Sequence, residues 1–503
     1  MIKVFGVKKL LMLSLLSISI QTFSQNDLYK EWYRPRFHFS PSKNWCNDPN
    51  GLVYNKGTYH LFYQHNPFGN VWGHMTWAHA ISKDLVHWTH QPIAIPEENG
   101  VMIFSGTCIV DKNNTGGFAT QRGQIPLIAI YTGHTEGVNQ SQHLAYSLDD
   151  GTTWTKYKNN PILDLHKKDF RDPKVFWYEP KQYWVMCLMF PVEHYVQFYS
   201  SKNLIDWKHL SDFGPVGDTS GVWECPDLTR VPVEGGKGEK KWLLQMSMNG
   251  SMQYFVGEFD GVKFVNENPT NKIYRPDYGP DYYAAICYNQ LPNSVKPTAI
   301  GWLNNWYYAN DIPTKPWKGT MSLPRTLSVK KVNGEWILIQ QPLELLSKQR
   351  KLIFKDFKVG FVNQWKLPIP SQQQYELDFD IAINKGEKGG VKIAAGHGHE
   401  VEIGYDAEKK VLYLDRSKTA NQSFSKSFAE RNYFETSYIP TGPVKFRVFV
   451  DHSIVEVFAD GGKRVFTAQF YPDENDTGIE IFSTCKRSTG SLACYLYELE
   501  PAW

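Results

Sequence analysis

At 503 residues the chain is too long for one ordinary hydrophobic core, so the sequence predicts two domains. A formal charge of only +3, with both signs interspersed, excludes the concentrated basic surface of a nucleic-acid-binding protein. Aromatic residues reach 15% with 17 Trp, which suits thick β-sheet packing and sugar stacking alike and does not separate the two.

Met1 to about Gln25 reads as a signal peptide. Lys3, Lys8 and Lys9 give a basic start, Leu10 to Ile20 is apolar but too short to span a bilayer, and Thr22-Phe23-Ser24-Gln25 suits cleavage. The first cysteine is Cys46, so no lipid anchor is expected, and no other stretch is apolar enough to cross a membrane. The mature protein is therefore expected to be soluble and exported, periplasmic or secreted. Seven cysteines, an odd number, leave at least one unpaired. Cys46, Cys108, Cys187, Cys225 and Cys287 lie among apolar neighbours as buried thiols, and spacing leaves open whether Cys485 and Cys494 pair.

The first organised stretch is Trp45-Cys46-Asn47-Asp48-Pro49-Asn50-Gly51. Leu52 to Tyr54, a turn at Asn55-Lys56-Gly57, and Thr58 to Tyr63 follow as a β-hairpin. Asp48 then sits at a strand mouth, fixed by the rigid Pro49. Taken alone this is a turn; a second copy gives it weight. Asp172-Pro173 is followed by Tyr178 and Tyr183 at the offsets that place Tyr54 and Tyr59 after Asp48-Pro49. Ser82-Lys83-Asp84-Leu85-Val86-His87-Trp88 returns as Ser201-Lys202-Asn203-Leu204-Ile205-Asp206-Trp207, and Ser147 to Trp154 has the Ser-x-Asp-x-Gly-x-Thr-Trp pattern of propeller hairpins. Diverged repeats of short strands, almost without helical periodicity, predict radially repeated sheets. Residues 30–335 are accordingly expected to form a five-bladed β-propeller. Residues 336–350, around Gln340-Gln341-Pro342 and Leu343 to Leu346, read as a linker with one helical turn. Alternating runs such as Tyr375 to Ile381 and Val444 to Val450 predict a β-sandwich over 351–503. His397-Gly398-His399 has no evident third metal partner and reads as an exposed turn, and Gly235 to Lys241 reads as a solvated hairpin tip.

Inner strands of a propeller line a central channel, so residues at their mouths converge. Asp48, Asp172 and Glu224, the last in Trp223-Glu224-Cys225-Pro226-Asp227 where a Pro again follows, place three carboxylates at one funnel. Mutual repulsion needs a reason, and glycosidic cleavage supplies one: one carboxylate attacks or stabilises the anomeric carbon while another, its pKa raised by crowding and desolvation, protonates the leaving oxygen.

This constellation resembles glycoside hydrolase family 32, the β-fructofuranosidases, over nearly the whole mature chain. Trp45 to Gly51, Phe170-Arg171-Asp172-Pro173 and Trp223 to Asp227 match its signatures in order. Gln64, Trp72, Phe104-Ser105-Gly106 and Asp451-His452-Ser453-Ile454-Val455-Glu456-Val457-Phe458 also match. The resemblance implies a five-bladed propeller with a β-sandwich, Asp48 as nucleophile at C2 of a fructofuranosyl unit, Glu224 as acid/base, and Asp172 as stabiliser of the ring and its developing charge. A retaining mechanism of this kind expects nucleophile and acid/base about 5–5.5 Å apart. Arg171 would orient the sugar, Asn47, Gln64 and Ser105 would bind hydroxyls, and Trp72 would pack on the ring. Trp45, Phe104 and Trp302 are binding candidates that serve equally as propeller core. The run from Gly301 to Arg325 is more similar to levanases and exo-inulinases than to sucrose-dedicated invertases. It implies release of terminal fructose from levan or inulin, with sucrose also cut. Linkage preference, endo action and oligomeric state stay open, as do transfer to a sugar acceptor and a non-catalytic carbohydrate-binding propeller. The family implies no metal and no organic cofactor, and no membrane insertion is expected.

Overall fold

A computed structural model describes residues 29–359, 363–484 and 491–502. The expected signal peptide and Cys485, hence its pairing with Cys494, lie outside the described residues.

Five sheets radiate from a ring of inner strands: Asn44–Asn55, Val101–Val110, Arg171–Tyr178, Trp223–Pro232 and Tyr283–Cys287. Each inner strand packs against the inner strands of the adjoining blades, and the fifth returns to the first. Backbone bonds close the ring: Tyr54 N donates to Asn289 O at 3.0 Å and Asn289 N to Leu52 O at 2.8 Å, while Trp317–Lys318 adds a parallel strand beside Asn44 and Trp45. Inner strands are covered on both faces, so Asn44–Asn55 and Tyr283–Cys287 are buried almost continuously rather than at alternate residues.

The Ser-Lys-Asx-Leu echo has a local cause. Ser82 Oγ accepts from the N–H of Leu85 at 2.8 Å and Asp84 Oδ1 from that of His87 at 2.8 Å. Asn203 Oδ1 repeats the second bond to Asp206 N at 2.9 Å, and Asp149 Oδ1 accepts from Thr153 N at 2.9 Å. Short polar side chains that cap their own backbone make tight turns at blade edges.

The propeller extends further than the sequence suggested. Glu335–Pro342 pairs throughout with Arg325–Val332 as the outer strand of the fifth blade, so the connector is only residues 343–349, with a 3₁₀ turn at Glu344–Lys348. Gln340 is buried there, its amide donating to Pro276 O, and this burial disguised a strand as a polar linker.

The second domain packs two antiparallel six-stranded sheets face to face around a single apolar core. It is clasped to the propeller through buried charge. Asp451 accepts from the backbone N–H groups of Arg36, Phe37 and His38 at 2.7, 2.9 and 3.1 Å, and from the His38 ring at 2.8 Å. Glu456 receives the other His38 nitrogen at 3.0 Å and Arg325 Nη2 at 2.6 Å. The Asp451-to-Phe458 motif thus lies at the domain seam.

Candidate active site

All five inner strands lose register near their first residues, between Cys46 and Pro49, Ile103 and Gly106, Arg171 and Lys174, Glu224 and Asp227, and Tyr283 and Ile286. Each bulge inserts one extra residue and re-aims side chains at the channel mouth. Pro173 and Pro226 fall inside these bulges, where no ladder N–H is required. Asp172 and Cys225 occupy the left-handed region at φ 65° and 51°, strain of the kind that persists where surrounding structure holds it.

The ladder registers these openings on one another. Cys225 is the counterpart of Asp172, whereas Glu224 corresponds to Arg171 and to Tyr283 of the fifth blade. These three equivalent side chains form a chain across the mouth: Arg171 Nη2 lies 3.0 Å from Glu224 Oε1, and Tyr283 OH donates to Glu224 Oε2 at 2.5 Å.

Asp48, Asp172 and Glu224 all line one pocket of about 360 Å³, together with Asn47, Gln64, Trp72, Phe104, Ser105 and Arg171. Ser105 Oγ donates to Asp48 Oδ2 at 2.6 Å and Asn47 Nδ2 to Asp48 Oδ1 at 3.1 Å, which fixes the carboxylate plane. Asp172 Oδ2 accepts from Cys225 N at 2.9 Å, and Cys225 Sγ lies 3.5 Å from Asp48 and 3.7 Å from Asp172. Gln64 Nε2 is buried without a partner among the described residues, a donor reserved for something entering the pocket.

Burial raises the Asp48 carboxyl above its ordinary range, opposed by the Ser105 hydroxyl and reinforced by the charge of Glu224. Burial likewise pushes Asp172 up to about 7, against the pull of Arg171 and with the push of Glu224 and Asp48. The Cys225 thiol, also buried among these acids, is driven well upward and stays protonated.

Two expected binding residues stand apart. Trp45 and Trp302 are fully buried and do not line the pocket; they pack behind Trp306, at ring separations of 6.1 and 4.7 Å. Their bulk supports the wall rather than contacting what enters it. Trp306 itself lines the pocket, with His134, Glu136 and Gln140, none of which was singled out as a site residue from sequence. His134 stacks on Phe104 at 4.4 Å, and Gln140 Oε1 lies 3.3 Å from Arg171 Nη1. Aligning the strand openings on their bulges rather than on the acids would have found Tyr283; nothing local marks His134 or Gln140.

Comparison with known proteins agrees with this geometry. Residues 38–342 match the model of the glycosyl hydrolases family 32 N-terminal domain, and 344–495 that of the family 32 C-terminal domain. The chain is 44% identical to a levanase of Bacillus subtilis (strain 168), covering 92% of this chain and 69% of that protein. It is 36% identical to an extracellular exo-inulinase of Aspergillus awamori, covering 94% and 96%. The crystal structure of exo-inulinase from Aspergillus awamori superposes with TM-score 0.89 at 35% identity, over 94% of this chain and 100% of that one. A fructofuranosidase from Schwanniomyces occidentalis, complexed with fructose, gives 0.85 at 31% identity, over 94% and 99%.

Proposed function

The chain belongs to glycosyl hydrolase family 32, a glycosidase acting on fructans and sucrose, and from that premise we propose that it removes terminal fructose units with retention of configuration. The observation that carries this reading is the junction of three carboxyl groups and one guanidinium in a pocket at the small end of ligand sites. Such a pocket suits one ring at a chain end rather than a stretch of polymer.

Asp48, oriented by Ser105 and Asn47, attacks C2 of the fructofuranosyl unit and forms an ester. Glu224 in its carboxyl form gives its proton to the departing oxygen. As a carboxylate it then takes a proton from water, whose oxygen attacks C2 and releases Asp48. Asp172 holds ring hydroxyls and opposes the positive charge that develops at C2, while Arg171 holds Glu224 in place. Gln64 donates to a sugar hydroxyl, and Trp72 and Trp306 border the entrance.

We also propose export, in line with the extracellular exo-inulinases among its relatives. No helix among the described residues is long and apolar enough to cross a membrane.

Chromatography of levan, inulin and sucrose digests over time tests this reading. Fructose alone from a fructan is expected; an oligosaccharide ladder would replace it by endo action, and products longer than the substrate by transfer. Glu224→Gln and Asp48→Asn should each lower kcat by about 10²–10⁴-fold or more. Unchanged turnover in both would remove the assignment.

A further inference from the structure

The hairpin joining Lys388–Gly396 to His399–Asp406 turns on two residues, His397 and Gly398, both left-handed at φ 50° and 87°. This tight turn brings two imidazoles onto one carboxylate. His397 Nδ1 lies 3.3 Å from Asp476 Oδ1, and His399 Nδ1 lies 2.8 Å from Asp476 Oδ2. The Asp476 side chain is fully buried beneath the turn, although it belongs to a loop. A Cβ at Gly396 would stand 2.6 Å from Asp476 Oδ1, so the hairpin closes over the carboxylate only with glycine there.

Asp473 completes the group. Ligand atoms of His399, Asp473 and Asp476 all lie within 4.8 Å of one another. Asn421 Nδ2 donates to Asp473 Oδ1 at 3.0 Å, which orients this carboxylate and leaves its other oxygen available. Asp473 N in turn donates to Asp476 Oδ2 at 3.2 Å. The third partner that local spacing could not supply for the two histidines thus comes from a loop 77 residues beyond His399.

We infer that His397, His399, Asp473 and Asp476 bind a divalent cation of the zinc class, at a site separate from the catalytic pocket. Two imidazole nitrogens with carboxylate oxygens suit Zn²⁺, Ni²⁺ or Cu²⁺, whereas Ca²⁺ and Mg²⁺ favour all-oxygen sets. Bonds of about 2.0–2.2 Å in a tetrahedron separate ligand atoms by about 3.4 Å. The His397–Asp476 spacing of 3.3 Å already approaches this, and the ligand atoms of His399, Asp473 and Asp476 lie within 4.8 Å of one another. The ion ties the hairpin tip to the loop carrying Pro472, whose carbonyl also accepts from Trp32 Nε1 at 3.1 Å. Its role is structural, at the end of the sandwich facing the N-terminal arm.

Chelator-stripped protein without a histidine tag, titrated with ZnCl₂ in a calorimeter, provides the test. One ion per chain is expected, with a rise in Tm and unchanged sucrose hydrolysis. Co²⁺ should give the visible absorption of a four-coordinate nitrogen and oxygen site. The His397→Ala/His399→Ala variant should lose the uptake and the Tm rise while hydrolysing sucrose as before. Asp473→Asn, an exposed and isosteric change, should weaken binding at least tenfold and decides the matter if the double variant does not fold. No uptake by the unaltered protein, or equal uptake by these variants, overturns the inference.

Discussion

Arg171 and Glu224 hold the same register position on neighbouring inner strands, and their side chains meet at 3.0 Å between Nη2 and Oε1. A shared bulge geometry thereby converts a backbone repeat into a functional pair. Arg171 also lies 3.0 Å from Asp169 and 3.9 Å from Asp172, so one cation balances several acids.

Replacing that cation should show in the pH profile. In Arg171→Ala the Asp172 carboxyl loses the charge that pulls its pKa down and rises beyond about 7. The acidic limb of kcat/KM is expected to move to higher pH, with kcat about 10²-fold lower. Activity measured from pH 4 to 9 checks both; an unmoved limb would mean that Arg171 does not govern the cluster.

Tyr283 completes the row of equivalent positions by donating to the other oxygen of Glu224. Tyr283→Phe keeps the ring and removes this bond. A fall in kcat of about tenfold is expected, with KM little changed, because the hydroxyl positions the acid without meeting the sugar. A KM effect alone would place Tyr283 in binding instead.

Trp72 is 39% exposed at the pocket and meets the Phe104 ring edge-on at 6.1 Å, with His134 stacked on Phe104. Trp72→Ala should raise KM for sucrose and for fructan by about tenfold, equivalent to about 1.4 kcal/mol. Steady-state kinetics on both substrates reads the effect. Trp302→Ala, by contrast, opens a cavity in the wall and is expected to lower stability by about 3–5 kcal/mol.

The domain seam should limit alkaline stability. Burial pulls the His38 pKa down, but Asp451 and Glu456 outweigh it and raise the ring to about 9. The unfolded ring titrates near 6.5, so this contribution is fully present below that pH and is lost as pH rises through about 9. Tm is expected to fall over that interval, and the fall should be smaller in His38→Gln. The substitution itself leaves two buried acids less balanced and should cost about 3–5 kcal/mol at neutral pH.

An opposite slope is expected on the acid side. Burial lowers His60 to about 4 and His79 further, and the rings stand 3.1 Å apart between nitrogens. Between pH 6.5 and about 4 the unfolded chain binds protons that the folded chain refuses, so stability falls as pH falls through this window. Tm against pH should flatten there in His60→Gln/His79→Gln.

Much of this was legible in residues alone. Asp-Pro pairs, Ser-x-Asx turns and period-two strands act through contacts a few residues long, so they announce the propeller, the sandwich and the three carboxyl groups before any packing is known. What the sequence could not decide depends on separation. Glu335–Pro342 is a strand because a fifth blade needs an outer edge, not because its Gln-rich residues favour one. Trp45 and Trp302 became wall rather than surface because their burial is set by Trp306 and the blades around it. His134 and Gln140 reach the pocket, and Tyr283 reaches Glu224, only because ring closure brings different blades to one mouth. Local chemistry fixed which groups could react; the closed ring of bulged strands decided which of them meet, because a register offset carries no signature in the identity of any single residue.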